Sequence, residues 1–386
     1  MTAFLTLIIV LFIAVAIWQM VKIFDLAQVG DKDDTQVATN KDNNINGYLM
    51  FGFLIFIYAI TIVSFWYLGD LPLIGNSASE HGPEIDSLMI ITMIVIFVTQ
   101  TFTQFLLHYF SFKYRGEVGK KALFYADNNT LEAVWTFIPV IVLSGLILYG
   151  LFTWSDIMNV DESDDPLVIE LYAQQFNWKA RYGGEDNALG LANVRLIDID
   201  RANILGLDES DPYAQDDVIV TELHLPVGRE ILFKMRSQDV LHSAYMPHFR
   251  AQMNCVPGMI TQFGFTPSVT TAEMRENPDI QEKVANINAL RLEKKDEIEA
   301  KGQELMYQFD YLLLCNKICG KSHYNMQMKI IVETQEEYDA WMKEQKTFKN
   351  SLPDSGDNVE GVPSKENESI KSENEAAKEE VVIQKK

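Results

Sequence analysis

The stretch Ala133–Trp154, AVWTFIPVIVLSGLILYGLFTW, carries no charged residue, and the composition changes abruptly after it. A helix of that length crosses a hydrocarbon layer of about 30 Å. Three more apolar blocks precede it, roughly Ala3–Val21, Gly47–Gly69 and Leu88–Phe112, and each is also long enough to span. Everything after Trp154 reads as water-soluble. The 386 residues are 48% hydrophobic, and the apolar ones concentrate in these blocks, so a membrane part of four spans is expected to carry an exterior domain.

The first block reads as a retained helix. Met1–Phe4 has no positive charge, and Trp18-Gln19-Met20-Val21-Lys22 offers no small-residue cleavage site. No cysteine precedes Cys255, which argues against a lipid anchor. The loop between spans three and four carries Lys113, Arg115, Lys120 and Lys121, whereas Asp70–Ser87 has no Lys or Arg. Basic loops stay inside, so both termini are expected outside. The formal charge of −22 makes nucleic acid a poor partner and a cationic protein a better one. Much of that acid lies in Asp354–Glu380, where it serves solubility equally well.

Beyond the membrane part, Pro166–Ala180 and Val218–Ser237 alternate and are rich in Val, Ile, Leu, Phe and Tyr, as half-buried strands are. Leu225-Pro226-Val227-Gly228-Arg229 reads as a turn. An antiparallel β domain is expected over Val168–Val332, with two insertions. Gly183–Asp217, rich in Asp, Gly and Asn, reads as loop. Thr271–Glu304, with Val284, Ile287, Leu290 and Ile298 near helical spacing, reads as an exposed helical excursion. Past Lys346 the chain is too poor in large apolar residues to offset ordering entropy, and disorder is expected. The divisions are therefore 1–46, 47–87, 88–157, 158–346 and 347–386, with the excursion at 271–304.

Within the β domain, Cys315-Asn316-Lys317-Ile318-Cys319-Gly320-Lys321-Ser322-His323-Tyr324-Asn325-Met326 gathers two thiols, an imidazole and a thioether. These are soft or borderline donors, which disfavours hard cations. Structural zinc does not take a thioether, so Met326 points to copper. A mononuclear blue site would leave one cysteine idle; two thiolates bridging two coppers use both. Such a pair shares one electron over two metals and reorganises little on transfer, which suits a relay. The second imidazole is His242 or His248, six residues apart, and spacing does not choose between them. His224 alternates within a strand as an ordinary residue. A Cys315–Cys319 disulfide is the competing structural reading, and Cys255 reads as a small buried apolar residue. No Cys-x-x-Cys-His occurs, so no covalent c-type haem is expected on this chain.

Together with Asn129–Pro139, Leu225–Ser243 and Val256-Pro257-Gly258, this segment resembles subunit II of cytochrome c oxidase over most of Leu88–Val332. The resemblance implies a two-helix hairpin, here spans three and four, carrying an all-β cupredoxin-like Greek-key barrel; the first two spans are extra. It implies a dinuclear copper centre, CuA, held by His242, Cys315, Cys319, His323, Met326 and the backbone carbonyl of Lys317, which chooses His242 by analogy. Electrons would come from a c-type cytochrome, free or within a respiratory complex, and pass to haem in subunit I, where oxygen is reduced and protons are translocated. The implied setting is a bacterial inner membrane with the copper domain on the periplasmic side.

Three departures from the family are visible. Lys317 replaces a glutamate that helps hold magnesium against subunit I; Asp239 matches another residue near that magnesium, and the lysine argues against the usual site. Phe176 replaces a tryptophan proposed as the electron entry point, which leaves Phe176 and Trp178 as candidates. Tyr172, Phe176, Trp178 and Tyr182 are expected on one side of one strand, which also suits a packed core face. The third departure is the 271–304 insertion. Glu132 matches a carboxylate at the mouth of a proton path, while Asn129-x-x-Glu132 also suits a helix-capping box. A quinol oxidase subunit, a copper-trafficking protein or membrane scaffold, and nitrous oxide reductase are the other readings; the intact donor set disfavours the first, and the hairpin and missing propeller the last.

Overall fold

A computed structural model describes residues 2–28, 38–69, 74–159, 165–300 and 302–353. The expected disorder beyond residue 353 lies outside them. Four long helices open the chain: α1 (Thr2–Gln28), α2 (Asn40–Leu68), α3 (Gly82–Lys113) and α4 (Asn129–Met158). Among the described residues, α2, α3 and α4 are long and apolar enough to cross a membrane, and α1 meets that test only as a shorter apolar segment, Ile8–Ile23. α2 starts on a capping box, in which the Thr39 hydroxyl accepts from Asp42 N and the Asp42 carboxylate from Thr39 N. α4 starts differently from expectation. Asn128, not Asn129, is the cap, its Oδ1 accepting from Leu131 N at 3.0 Å, so Glu132 stands exposed in the first turn with no capping role.

The chain forms two compact units. One comprises Met1–Leu73 with Leu88–Ile147; the other comprises Ile74–Ser87 with Leu148–Lys386. Among the described residues, the second unit holds ten strands in two sheets. Strands β1 (Leu167–Gln174), β2 (Asn177–Tyr182), β3 (Val218–Val220), β4 (Leu223–Pro226), β5 (Ile231–Ser237), β6 (His242–Met246), β7 (Ala251–Cys255) and β8 (Thr261–Phe265) come first. Helices α5 (Thr271–Glu276), α6 (Pro278–Glu293) and α7 (Lys295–Ala300) then precede β9 (Tyr311–Cys315) and β10 (Gln327–Glu333). Helices α8 (Gln335–Glu344) and α9 (Phe348–Ser351) close the domain. The sheet orders are β3-β2-β1-β5-β8 and β4-β10-β9-β6-β7.

The expected purely antiparallel arrangement is not what forms. β1 runs parallel to β5, and β4 parallel to β10, because the chain crosses between sheets at the Val227–Glu230 turn instead of folding back as a hairpin. Gly228, at φ +75, makes that turn possible. Between the sheets lies one core, with Ile169, Leu171, Phe233 and Met235 facing Leu223, Ala244, Tyr311, Leu313 and Ile330. On β1 the other face is buried too. Tyr172 joins Leu205, Leu207, Ala214 and Phe348 in a second small core, which explains why β1 is nearly continuously buried.

Gly183–Asp217 is therefore more than a surface loop: it folds over the outer face of the β1–β2 sheet. Nor does the domain end at Lys346. Phe348 is buried and its N–H donates to Asp217 O at 2.6 Å. The four aromatic residues expected on one strand are divided by a hairpin at Gln175–Phe176. Tyr172 points to the second core, whereas Trp178 and Tyr182 point to the first. The 271–304 excursion is helical as expected, and one face of α6 packs down through Ile280 and Val284.

A candidate metal centre at the β9–β10 loop

Register builds this site. β6 begins with His242 and β9 ends with Cys315, and the two strands pair with Ala244 opposite Cys315. The loop leaving Cys315 folds back onto the same edge: Asn316 N donates to Ser243 O at 3.0 Å, and Cys315 N to Met326 O at 3.1 Å. A single 3₁₀ turn, His323–Asn325, closes the loop before β10. The donors thus sit on strand ends and on a loop pinned at both ends, which is how a site is held rigid.

The Cys315 and Cys319 sulfurs are 3.8 Å apart. A disulfide needs about 2.05 Å, and both cysteines are free. His242 Nδ1 lies 3.7 Å from Cys315 Sγ, and Lys317 O lies 3.3 Å from it. On the other side, His323 Nδ1 lies 3.6 Å and Met326 Sδ 3.8 Å from Cys319 Sγ. His242, Cys315 and Cys319 each place a ligand atom within 4.8 Å of the other two. His242 and Met326 are buried and His323 is half-buried. Burial and the neighbouring Cys315 push the Cys319 thiol above its ordinary value, so ligation must displace protons.

The geometry separates the two histidines that spacing left open. His248 is packed between Phe309 and Tyr311, with ring centroids at 5.1 and 5.5 Å, and burial lowers its pKa to about 4. His224 is an ordinary core residue, stacked on Trp341 at 4.0 Å with Nδ1 2.9 Å from Glu333. Cys255 is fully buried opposite His242 in the β6–β7 register, and burial raises its pKa to about 12.

Asp239 turns out to serve His242. Its Oδ1 lies 2.8 Å from His242 Nε2 and accepts from Val240 N, while Oδ2 accepts from Gln175 N at 2.7 Å. Burial opposes its ionisation, but these hydrogen bonds outweigh it and hold the carboxyl below the usual range. Both oxygens of the carboxylate are thus engaged inside the chain, and one of them holds the imidazole. The spacing Asp239-x-x-His242 carried this signal. Gln175 carried none, yet its Nε2 donates to Cys319 O at 2.5 Å and steadies the loop.

Phe176 and Trp178 occupy unlike places. Phe176 is half-buried at the β1–β2 turn against Gly320, where a β-carbon would come within 2.8 Å of its ring. Trp178 is only 2% exposed, so it offers no edge to an incoming partner as a surface entry point would; it stands behind His242, ring centroids 6.2 Å apart.

A family model for the transmembrane domain of cytochrome C oxidase subunit II matches residues 77–152. The alternative cytochrome c oxidase subunit 2 of Bradyrhizobium diazoefficiens is 32% identical over 242 residues, which cover 62% of this chain and 72% of that protein. The chain belongs to the cytochrome c oxidase subunit II family. Cytochrome c oxidase subunit 2 of Thermostichus vulcanus is 20% identical over 310 residues, covering 74% of this chain and 82% of that one. Among solved structures, the periplasmic domain of subunit II of cytochrome oxidase of Bradyrhizobium japonicum matches with a TM-score of 0.27 and 17% identity, over 46% of this chain and 91% of that one. As a subunit II, the chain is a membrane-anchored member of a terminal oxidase, and its β domain is the cupredoxin-like one of the family.

Proposed function

We propose that this subunit II takes electrons one at a time from a c-type cytochrome, free or held in a respiratory complex, at a dinuclear copper centre and delivers them to haem in subunit I. The supporting observation is the 3.8 Å separation of two free thiols with donors on both flanks. The donors are soft or borderline apart from the Lys317 carbonyl, and a thioether among them disfavours zinc. Cys315 and Cys319 would be shared by the two ions, and His242, His323, Met326 and the Lys317 carbonyl would complete the set that holds them.

A copper pair bound there would accept and release single electrons. The chain's own contribution is rigidity: Asp239 fixes the His242 ring so that Nδ1 faces the sulfurs, and Gln175 holds the Cys319 carbonyl. A donor set that keeps its place in both oxidation states opposes transfer least. Phe176, half-buried over Gly320 at the edge of the loop, is the better placed of the two candidates for electron entry, and Trp178 backs His242 from inside. Glu132, exposed at the start of α4, is the candidate for a proton-path entrance. Lys317 presents a carbonyl and no carboxylate, so a magnesium ion of the family type is not proposed here.

An exterior copper domain is supported by one unit holding both Ile74–Ser87 and the strands. The α2–α3 connection and the β domain then share one side of the membrane, and Lys113, Arg115, Lys120 and Lys121 lie in the connection at the other end of α3. With basic loops inside, the copper domain is exterior.

The test loads the full-length chain in detergent with copper and measures metal per chain together with the electron paramagnetic resonance spectrum. Two coppers with a seven-line pattern support the proposal. One copper, bound zinc or a disulfide would overturn it, and reversible mononuclear copper would favour trafficking instead.

A further inference from the structure

We propose that the connection Lys113–Tyr125 is an interfacial anchor, which lays Leu123, Phe124 and Tyr125 into the headgroup layer and sets Lys120 and Lys121 against anionic lipid. The copper site makes no use of this segment. Tyr114, Val118, Leu123, Phe124 and Tyr125 are 69%, 67%, 80%, 90% and 77% exposed. Single exposed apolar side chains are ordinary, but a run of three beside a cluster of cations marks a surface that something covers.

The height of the segment is fixed by its contacts. Arg115 Nε donates to Asn44 Oδ1 at 2.6 Å, Asn43 Nδ2 to Gly116 O at 3.0 Å, and Val118 N to Asn40 Oδ1 at 2.7 Å. These bonds tie the connection to the first turns of α2. Lys22 Nζ, 3.1 Å from Asp42, brings the C-terminal part of α1 against the start of α2. All of these residues belong to one compact unit. A segment joining two spans and bound to the start of a third lies at the boundary between hydrocarbon and water.

Charge decides the occupant. Glu117 pairs with Lys120 at 2.5 Å, and Lys113, Arg115 and Lys121 are not offset by any other acid in the segment, so the net charge over Lys113–Tyr125 is +3. Lys113 Nζ stands over the rings of Tyr109 and Tyr114, at 5.4 and 5.5 Å, which is how cations and aromatic rings sit together at a membrane surface. Residues 121–125 form neither helix nor strand, so their backbone groups need the water and phosphates of the headgroup layer, and the side chains alone go deeper. Anionic lipid satisfies the apolar run and the cations together.

The full-length chain carrying 4-fluorophenylalanine at position 124 is placed in nanodiscs of phosphatidylcholine, with or without phosphatidylglycerol. Fluorine relaxation is then measured with a nitroxide-bearing lipid and with a water-soluble gadolinium chelate. The lipid probe is expected to dominate, more so with phosphatidylglycerol, and the double variant Lys120→Gln/Lys121→Gln is expected to lose that preference by roughly five-fold per lysine. Dominance of the aqueous chelate would overturn the proposal. So would a fluorine that becomes protected only after the other oxidase subunits are added, since a protein would then be the cover.

Discussion

At Asp239 one carboxylate decides which nitrogen of His242 faces the thiols. The bond at Nε2 leaves Nδ1, 3.7 Å from Cys315, as the free donor. Asp239→Ala keeps every proposed ligand but frees the ring to turn, and copper affinity is expected to fall about 10- to 100-fold. Competition with a chelator of known affinity measures this, and an unchanged affinity would show that packing against Trp178 alone orients the ring. Asp239→Asn is the sharper comparison, since the amide oxygen can still accept from Nε2–H but brings no charge. It is expected to lie between the two. The candidate donors Cys315, Cys319, His323 and Met326 were legible at this scale because they sit on one short loop; that His242 rather than His248 lies beside them was not, because it depends on how β6 pairs with β9.

Among the elements, the connection Ile74–Ser87 binds the β domain as a strap. Ala78 N donates to His248 O at 2.7 Å, Ser268 N donates to Ala78 O at 2.8 Å, and the Ser79 hydroxyl donates to Phe249 O at 2.7 Å. Arg250 fixes it further with two bonds to Asp86, at 2.7 and 2.9 Å, and one to Gly75 O. Arg250→Ala is expected to destabilise the strap by about 2 kcal/mol, the usual worth of charge-assisted bonds of this kind. Hydrogen exchange at Ala78 and Glu80 reads it directly, and slow exchange in the variant would refute it. Nothing in the sequence signalled this strap, whose contacts are backbone groups far away along the chain. The spans α2, α3 and α4 were legible because each is a continuous apolar run, whereas α1 carries only the shorter apolar segment Ile8–Ile23. Strand identity was legible in β1 and β5 from alternation, whereas their parallel pairing was not: it depends on a turn that changes sheets. The end of the domain was misplaced for a related reason, a single buried aromatic in a polar tail. A chain ended after Lys346 loses Phe348, and denaturant unfolding should show a loss of about 3 kcal/mol, whereas a chain ended after Pro353 should keep full stability.

The whole β domain is tied together by a buried charged network, and that makes its stability depend on pH. Glu170, Arg181 and Asp217 are almost fully buried; Arg181 bonds Glu170 at 2.5 Å and Asp217 Oδ2 at 2.8 Å, and Arg236 also binds Glu170. Through these groups β1, β2 and β5 meet the Gly183–Asp217 loop, and through Asp217 O they meet α9. Two acids share two guanidinium groups, yet Asp217 Oδ1 has no hydrogen-bond partner. Burial pushes this carboxyl from 3.8 up to about 7, Arg181 pulls it down less than burial raises it, and Asp216 adds to the rise. An unfolded chain loses that proton near pH 4, while the folded chain keeps it to about pH 7. Between those values the folded state binds more protons, so stability is fully present below the window and is lost as pH rises through it. Asp217→Asn removes the titrating proton and keeps the shape. Denaturant midpoints taken from pH 4.5 to 7.5 are expected to fall with pH in the parent by more than in the variant; parallel slopes would mean that Asp217 stays ionised against Arg181 throughout.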